Sequence, residues 1–313
     1  MNEADYSQKY KLYKDLIEKY LDENSVIFEC PQKKVLESMR YSLMAGGKRI
    51  RPVFMFAFSE LLGIPPHDML PFAAAVEMIH TYSLIHDDLP VMDDDNLRRG
   101  KPSNHVVFGE ATALLAGDAF LNKAFETMLD AVSKYEGEKL KNSVSAMKAI
   151  AEASGNMGMI AGQMVDIESE YKKITGDELR NMHINKTGAL LKAACLAPVI
   201  MAGRYDLIRD VMIFSAYIGL MFQIKDDILD ENGSEEILGK SAGSDRRRGK
   251  NTFVSVYGIK KCERFLNEYM EESVRIIKNV NEKIEVPIGD IRRKSDAAEF
   301  LRLLTMYLYN RNK

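Results

Sequence analysis

Apolar residues recur at helical spacing along nearly the whole chain. Leu12, Leu16, Ile17, Tyr20 and Leu21 form a stripe on an otherwise charged opening segment. Val35, Met39, Ser42 and Leu43 continue the pattern, and Gly46-Gly47 stops it. Pro52 can stand in the first turn of the next helix, which runs to Gly63 before the break at Pro65-Pro66. From Met69 to His86 nearly every turn is apolar on all sides, as expected of a helix surrounded by others. Similar patterns cover residues 106–132, 139–153, 177–201, 206–229, 259–277 and 295–309. Asn232-Gly233 has no alternating strands beside it and reads as a helix end. The pattern predicts an all-α fold of about ten helices. It forms one domain over residues 1–313, with loops at 93–105 and 232–250.

Charge and composition narrow the class. The chain has 313 residues and a net charge of −3, so no global basic field calls for nucleic acid. The cations are grouped locally instead, at Lys48-Arg49-Ile50-Arg51, at Arg98-Arg99-Gly100-Lys101 and from Arg246 to Lys250. Cys30, Cys195 and Cys262 are scattered without metal-ligand spacing and read as thiols in a reducing compartment. The opening segment, Met1 to Ser25, lacks a signal-peptide apolar region. The best apolar run, Ile213 to Ile224, reads as too short to span a bilayer, so a cytoplasmic protein without a membrane span is expected.

Two aspartate-rich segments carry the chemistry. The first is His86-Asp87-Asp88-Leu89-Pro90-Val91-Met92-Asp93-Asp94-Asp95, followed by Arg98-Arg99-Gly100-Lys101-Pro102. The second is Phe222-Gln223-Ile224-Lys225-Asp226-Asp227-Ile228-Leu229-Asp230. Each ends an apolar helix. Adjacent carboxylates repel, and drying them is costly unless cations compensate. Asp226 and Asp230 are one helical turn apart and share a face, with roughly 5–6 Å between their Cβ atoms. The helix dipole at that end disfavours them further. Asp87 and Asp93 do not share a helix face, so the chain must loop to bring them to one ion. Magnesium suits such a pair of motifs, because it takes a few carboxylates and completes its shell with water and phosphate oxygens. A pocket with hard cations at its centre and a bridging diphosphate is the expectation. Two solvated acidic helix ends are the plain alternative. Calcium fits less well, because no EF-hand glycine or glutamate follows.

Taken together, the motifs resemble those of the trans-polyprenyl diphosphate synthases, of the bacterial farnesyl diphosphate synthase type. The matching elements run in order: Gly-Gly-Lys-Arg-Ile-Arg-Pro at 46–52, the first acidic motif with Arg98-Arg99, Gly162-Gln163 with Asp166, Lys186-Thr187-Gly188, the second motif with Gln223, Leu238-Gly239-Lys240, and Gly249-Lys250-Asn251-Thr252. The resemblance implies a single-domain isoprenoid synthase bundle around a central cavity, usually a homodimer. Its reaction joins isopentenyl diphosphate to an allylic diphosphate, dimethylallyl or geranyl, here ending mainly at farnesyl diphosphate. Geranylgeranyl or geranyl diphosphate synthesis stays as the alternative within the family. It further implies that Asp87, Asp93, Asp226, Asp227 and Asp230 bind several Mg²⁺ ions. Arg98, Lys186, Gln223 and Lys240 would hold the allylic side, with Lys186, Thr187 and Gln223 beside the developing cation, and Lys250 would be a further substrate-binding residue. Lys48, Arg51, His80 and Arg99 would surround the isopentenyl diphosphate. The pocket floor would lie one turn before Asp87, at Tyr82 and Ser83, with Tyr82 as the plug.

Plainer roles compete at several positions. His80, in an apolar helix, could be a core histidine. Gln163 and Asp166 could be buried hydrogen-bond partners. Arg246-Arg247-Arg248 reads as a solvated loop, and Phe54, Phe56, Phe58 and the methionines as core. Other functions compete too. A metal phosphohydrolase would need more than the chain's five histidines. A non-catalytic subunit of a prenyl synthase should have a damaged acidic motif. A terpene cyclase would not need the basic site at 46–52.

Overall fold

The computed structural model describes residues 1–25, 27–232, 249–285 and 287–311. The chain is all-α. Helix α1 (Glu3–Glu23) starts in a capping box. The Asn2 side chain accepts from the Asp5 amide at 2.8 Å, and the Asp5 carboxylate accepts from the Asn2 amide at 3.1 Å. Its inner stripe buries Tyr13, Ile17 and Leu21, each four residues apart. Helices α2 (Lys33–Leu43) and α3 (Ile50–Leu61) follow. Pro52 sits in the first turn of α3, where a missing N–H costs nothing. Phe54, Phe56 and Phe58 are buried in the core, as their pattern predicts. Each contributes about 1.5–3 kcal/mol of burial.

Helix α4 (Leu70–Asp87) is buried almost all round and ends at the first acidic motif. The predicted loop beyond it contains a two-stranded hairpin, β1 (Leu97–Arg98) paired antiparallel with β2 (Lys101–Pro102). The stretch predicted as one helix over 106–132 is two, α5 (Asn104–Phe108) and α6 (Glu110–Val132), parted at Gly109 with φ 86°. Helix α7 (Gly137–Ser154) matches expectation, whereas α8 (Met159–Glu168) was not foreseen. The helix predicted over 177–201 is α9 (Gly176–His183) and α10 (Ala189–Met201), joined by one wide π turn, Ile184–Gly188. Helix α11 (Ile208–Asn232) carries the second acidic motif. Short α12 (Phe253–Tyr257), α13 (Ile259–Lys283) and α14 (Ile291–Asn310) complete the described chain.

Packing places α4 against α6 and α3, and α10 against α7, α3 and α11, with α13 and α14 closing the far side. The helical stretches Gly176–Met201 and Tyr205–Glu231 are long and apolar enough to cross a bilayer. That corrects the expectation drawn from the shorter run at Ile213. In the fold both stretches spend much of their apolar surface on neighbouring helices.

Candidate active site

The end of α4 doubles back on itself. The Asp93 amide donates to the Asp87 carbonyl at 2.8 Å, and the Met92 and Asp94 amides donate to the Leu89 carbonyl at 2.9 and 3.1 Å. Asp94 adopts φ 49° to close this loop. It brings together two carboxylates whose spacing does not fit one helix face. Burial pushes the Asp87 carboxyl up to about 6; Lys186 pulls it back and Asp93 adds to the rise. No hydrogen bond reaches the Asp87 side chain among the described residues.

Lys250, Lys186 and Arg98 bring positive charge to this pair. Lys250 Nζ lies 2.6 Å from Asp93 Oδ1 and 3.8 Å from Asp166 Oδ2. Lys186 pairs with the same buried Asp166. Arg98 donates through Nε to Asp88 Oδ1 at 2.9 Å, and Asp88 is buried. Asp166 is therefore an organiser of two lysines, which favours the plainer of its two readings. Gln163 lies on the same helix, α8.

The local sequence explains how the lysines get there. A Cβ at Gly162 would come within 2.1 Å of the Lys186 amide nitrogen, so only glycine lets α8 lie against the wide turn that presents Lys186 and Thr187. Lys250 is fixed by its neighbours. Tyr171 donates its amide to the Gly249 carbonyl at 3.1 Å, and Asn251 Nδ2 donates to the Ser169 and Lys172 carbonyls at 2.9 Å each. Lys240, Leu238-Gly239 and Arg246 to Arg248 lie outside the described residues.

The second motif joins through Gln223. Thr187 Oγ1 donates to Gln223 Oε1 at 3.3 Å, and Gln223 Nε2 donates to Asp227 Oδ1 at 2.8 Å. The Phe253 amide donates to Asp227 Oδ2 at 2.6 Å. Both Asp227 oxygens thus have partners within the chain, unlike the open ligand expected from sequence. Asp226 Oδ1 accepts from Arg311 Nη2 at 2.7 Å, and the Arg311 guanidinium stacks on Phe222, 4.0 Å from the ring centre. Asp230 is on the same helix face, one turn on.

Two turns before Asp87, α4 meets a basic cluster. Arg99 donates to the Gly46 carbonyl. Burial drives the His80 imidazole well below its ordinary range, and Arg51, Arg99, Arg49 and Arg98 press it further. The ring therefore sits among four arginines. Lys48 flanks the cluster, its carbonyl accepting from Tyr10 Oη at 2.5 Å. Between His80 and Asp87 in the sequence of α4 stands Tyr82, 6 % exposed, its ring edge-on to His86 and its hydroxyl buried without a partner among the described residues. Burial pushes the Tyr82 phenol up to about 12, with Asp87 adding to it. Ser83 Oγ donates to the His80 carbonyl at 2.9 Å.

The residues suit magnesium in a limited sense. Among the described residues no three His, Cys, Asp or Glu side chains converge to hold an ion alone. The acidic groups are spread over α4, its loop and α11. That spread fits an ion whose shell is completed by phosphate and water oxygens. The half-buried Asp87 carboxyl, raised by burial and by Asp93, is the feature that a cation would relieve.

Known proteins resemble this chain in sequence and fold. The polyprenyl synthetase family matches residues 32–286. The farnesyl diphosphate synthase of Micrococcus luteus is 44% identical over 90% of this chain and 91% of its own. The geranylgeranyl diphosphate synthase of Cyanophora paradoxa is 46% identical over 76% of this chain and 80% of its own. A solved geranyltransferase from Helicobacter pylori, complexed with magnesium and isoprenyl diphosphate, superposes with TM-score 0.79 at 26% identity, covering 96% of this chain and 97% of that one. The chain belongs to the polyprenyl synthetase family.

Proposed function

We propose that the protein is a magnesium-dependent prenyltransferase. It joins isopentenyl diphosphate to dimethylallyl or geranyl diphosphate and stops mainly at farnesyl diphosphate. The observation that carries this reading is the division of α4. His80, in the basic cluster, and Asp87, in the acidic loop, are seven residues apart, about 10 Å along the axis. One helix therefore serves a metal-free diphosphate site and a metal-assisted one.

On the allylic side, Asp87, Asp93, Asp226 and Asp230 would hold Mg²⁺, with Asp227 keeping Gln223 in place. Magnesium bound there would neutralise the diphosphate as it leaves. Lys186, Lys250, Arg98 and Lys240 supply further positive charge to the same group. The oxygens of Thr187 and Gln223 face the allylic cation as it develops. Lys48, Arg51 and Arg99 fix the other diphosphate, Arg51 and Arg99 as forks and Lys48 as a point charge. Neutral His80 can donate one N–H to it without adding charge. The proton lost after condensation passes to the departed diphosphate. Tyr82 closes the pocket beneath, with Ser83 beside it.

A second reading, geranylgeranyl diphosphate synthesis, is favoured by the comparable identity to an enzyme of that name. The buried Tyr82 favours the shorter product. Incubation with Mg²⁺, isopentenyl diphosphate and labelled dimethylallyl or geranyl diphosphate, followed by chromatography of the dephosphorylated products, tests both. Absence of any condensation product would refute the reading.

Residues 1–313 work as one domain, in the cytoplasm, as a homodimer. Helices α5 and α6 leave Val106, Val107, Leu114 and Leu115 exposed where they meet. A second copy would cover that apolar surface. Light scattering that returns a monomer mass would refute the dimer.

A further inference from the structure

Residues 44–49 connect α2 to α3, and Arg51 lies in the first turn of α3. Gly46 and Gly47 take φ 87° and 135°, which glycine adopts freely. Arg49 takes φ 52°, which residues other than glycine adopt only rarely. Something must hold it there. Arg49 is 3 % exposed and Glu77, on α4, is 2 % exposed. Arg49 Nη1 donates to Glu77 Oε1 at 2.7 Å, and Nη2 donates to the Leu43 carbonyl at 2.6 Å. One guanidinium thus ties the end of α2, the start of α3 and the middle of α4. Lys48 and Arg51 lie on either side of Arg49, in the connection and in the first turn of α3. The charge of Glu77 also reaches Arg51 and Arg99, which burial and mutual repulsion would otherwise unsettle.

We propose that Arg49 and Glu77 are positioning residues for the metal-free diphosphate site. The buried pair holds the left-handed turn that sets Lys48 and Arg51, and Glu77 keeps the arginines gathered before a diphosphate arrives. This rests on reading the basic cluster as the isopentenyl diphosphate site. A merely structural pair would lower the thermal midpoint without a selective loss of one substrate, and that separates a positioning role from a structural one.

The test is the charge-neutral double variant Arg49→Met/Glu77→Leu, beside Arg49→Lys, which keeps a cation on Glu77 but loses the fork. The double variant is expected to fold, with a thermal midpoint lowered by the loss of the Glu77 charge beside Arg51 and Arg99. Its dissociation constant for isopentenyl diphosphate, measured by calorimetry without allylic substrate, should rise about ten- to hundredfold. The Michaelis constant for isopentenyl diphosphate should rise with it, while kcat and the allylic Michaelis constant stay within about twofold. Arg49→Lys should show a smaller loss of the same kind, about three- to tenfold, and carries the test alone if the double variant does not fold. A folded variant that binds isopentenyl diphosphate as wild type does would overturn the proposal. So would equal weakening of both substrates. Wild-type protein that neither binds isopentenyl diphosphate nor condenses it would instead overturn the reading of the site.

Discussion

Replacing Tyr82 by Ala is expected to lengthen the product. The side chain is 6 % exposed, so truncation removes a nearly fully buried ring. Such a loss costs about 3–5 kcal/mol in folding stability. Part of it is offset, because the Tyr82 hydroxyl is buried without a partner among the described residues and its burial costs about 1–3 kcal/mol. A net loss of about 2–3 kcal/mol leaves a folded enzyme with a cavity beneath Asp87. One more isoprene unit brings five carbons, and at about 0.8 kcal/mol per buried CH₂ it recovers about 4 kcal/mol by filling that space. The longer chain is therefore favoured where wild type excludes it. The assay is chromatography of dephosphorylated products from labelled geranyl diphosphate and excess isopentenyl diphosphate. Tyr82→Phe is the control: it keeps the ring, should keep the wild-type length and should be no less stable. An active Tyr82→Ala enzyme that still stops at farnesyl diphosphate refutes the assignment of the floor.

Asp87→Asn should abolish most turnover yet stabilise the metal-free protein. Between the ordinary carboxyl value of 3.8 and about 6 the unfolded chain has released this proton and the folded chain has kept it. Metal-free stability therefore falls as pH rises through that window, by about 3 kcal/mol at most, and urea midpoints in chelator should show the fall in wild type and not in the variant. His183 works in the opposite direction. Burial holds its imidazole down near 3 instead of 6.5, so stability is lost as pH drops below 6.5, at about 1.4 kcal/mol per pH unit. His183→Phe should flatten that acid limb. Arg99→Ala should weaken isopentenyl diphosphate about ten- to hundredfold with little change in folding. Arg98→Ala should weaken the allylic partner and also lower the thermal midpoint, because Asp88 is left buried without its cation. Steady-state constants for both substrates check the pair, and identical shifts in both variants would contradict the division.

Several parts of this site were legible in the sequence for physical reasons. The apolar girdle of α4 and the four-residue spacing of Asp226 and Asp230 follow from helical periodicity. The loop at 87–93 followed from a spacing that no helix can satisfy, and the Asp93–Asp87 backbone bond is how it forms. Helix α8 escaped notice because Gly155 and Gly158 precede it, Gly162 interrupts its pattern, and Ile160, Met164 and Val165 face outward. The break at Gly109 was hidden because apolar residues continue across it. Arg49, Glu77 and Arg311 were missed for another reason. Their partners lie far along the chain, and local spacing holds no information about them. A glutamate inside an apolar helix was the one available signal, since a buried charge demands a buried cation.

The wide turn at 184–188 makes chain length a functional quantity. A π turn holds one residue more than an α turn. Delete any one of those residues and α9 and α10 could close into a regular helix with no gap in hydrogen bonding. The faces of α9 and α10 would stay nearly in register, because the wide turn absorbs the extra residue, but the widened backbone that sets Lys186 against Gly162 would be gone. Asp166 would no longer meet Lys186, although every side chain named in the site could still be present. Losing a residue from the exposed connection between α6 and α7 would carry no such penalty. Two sequences with identical motifs could therefore differ in activity by a single-residue deletion that no comparison of residue types would flag.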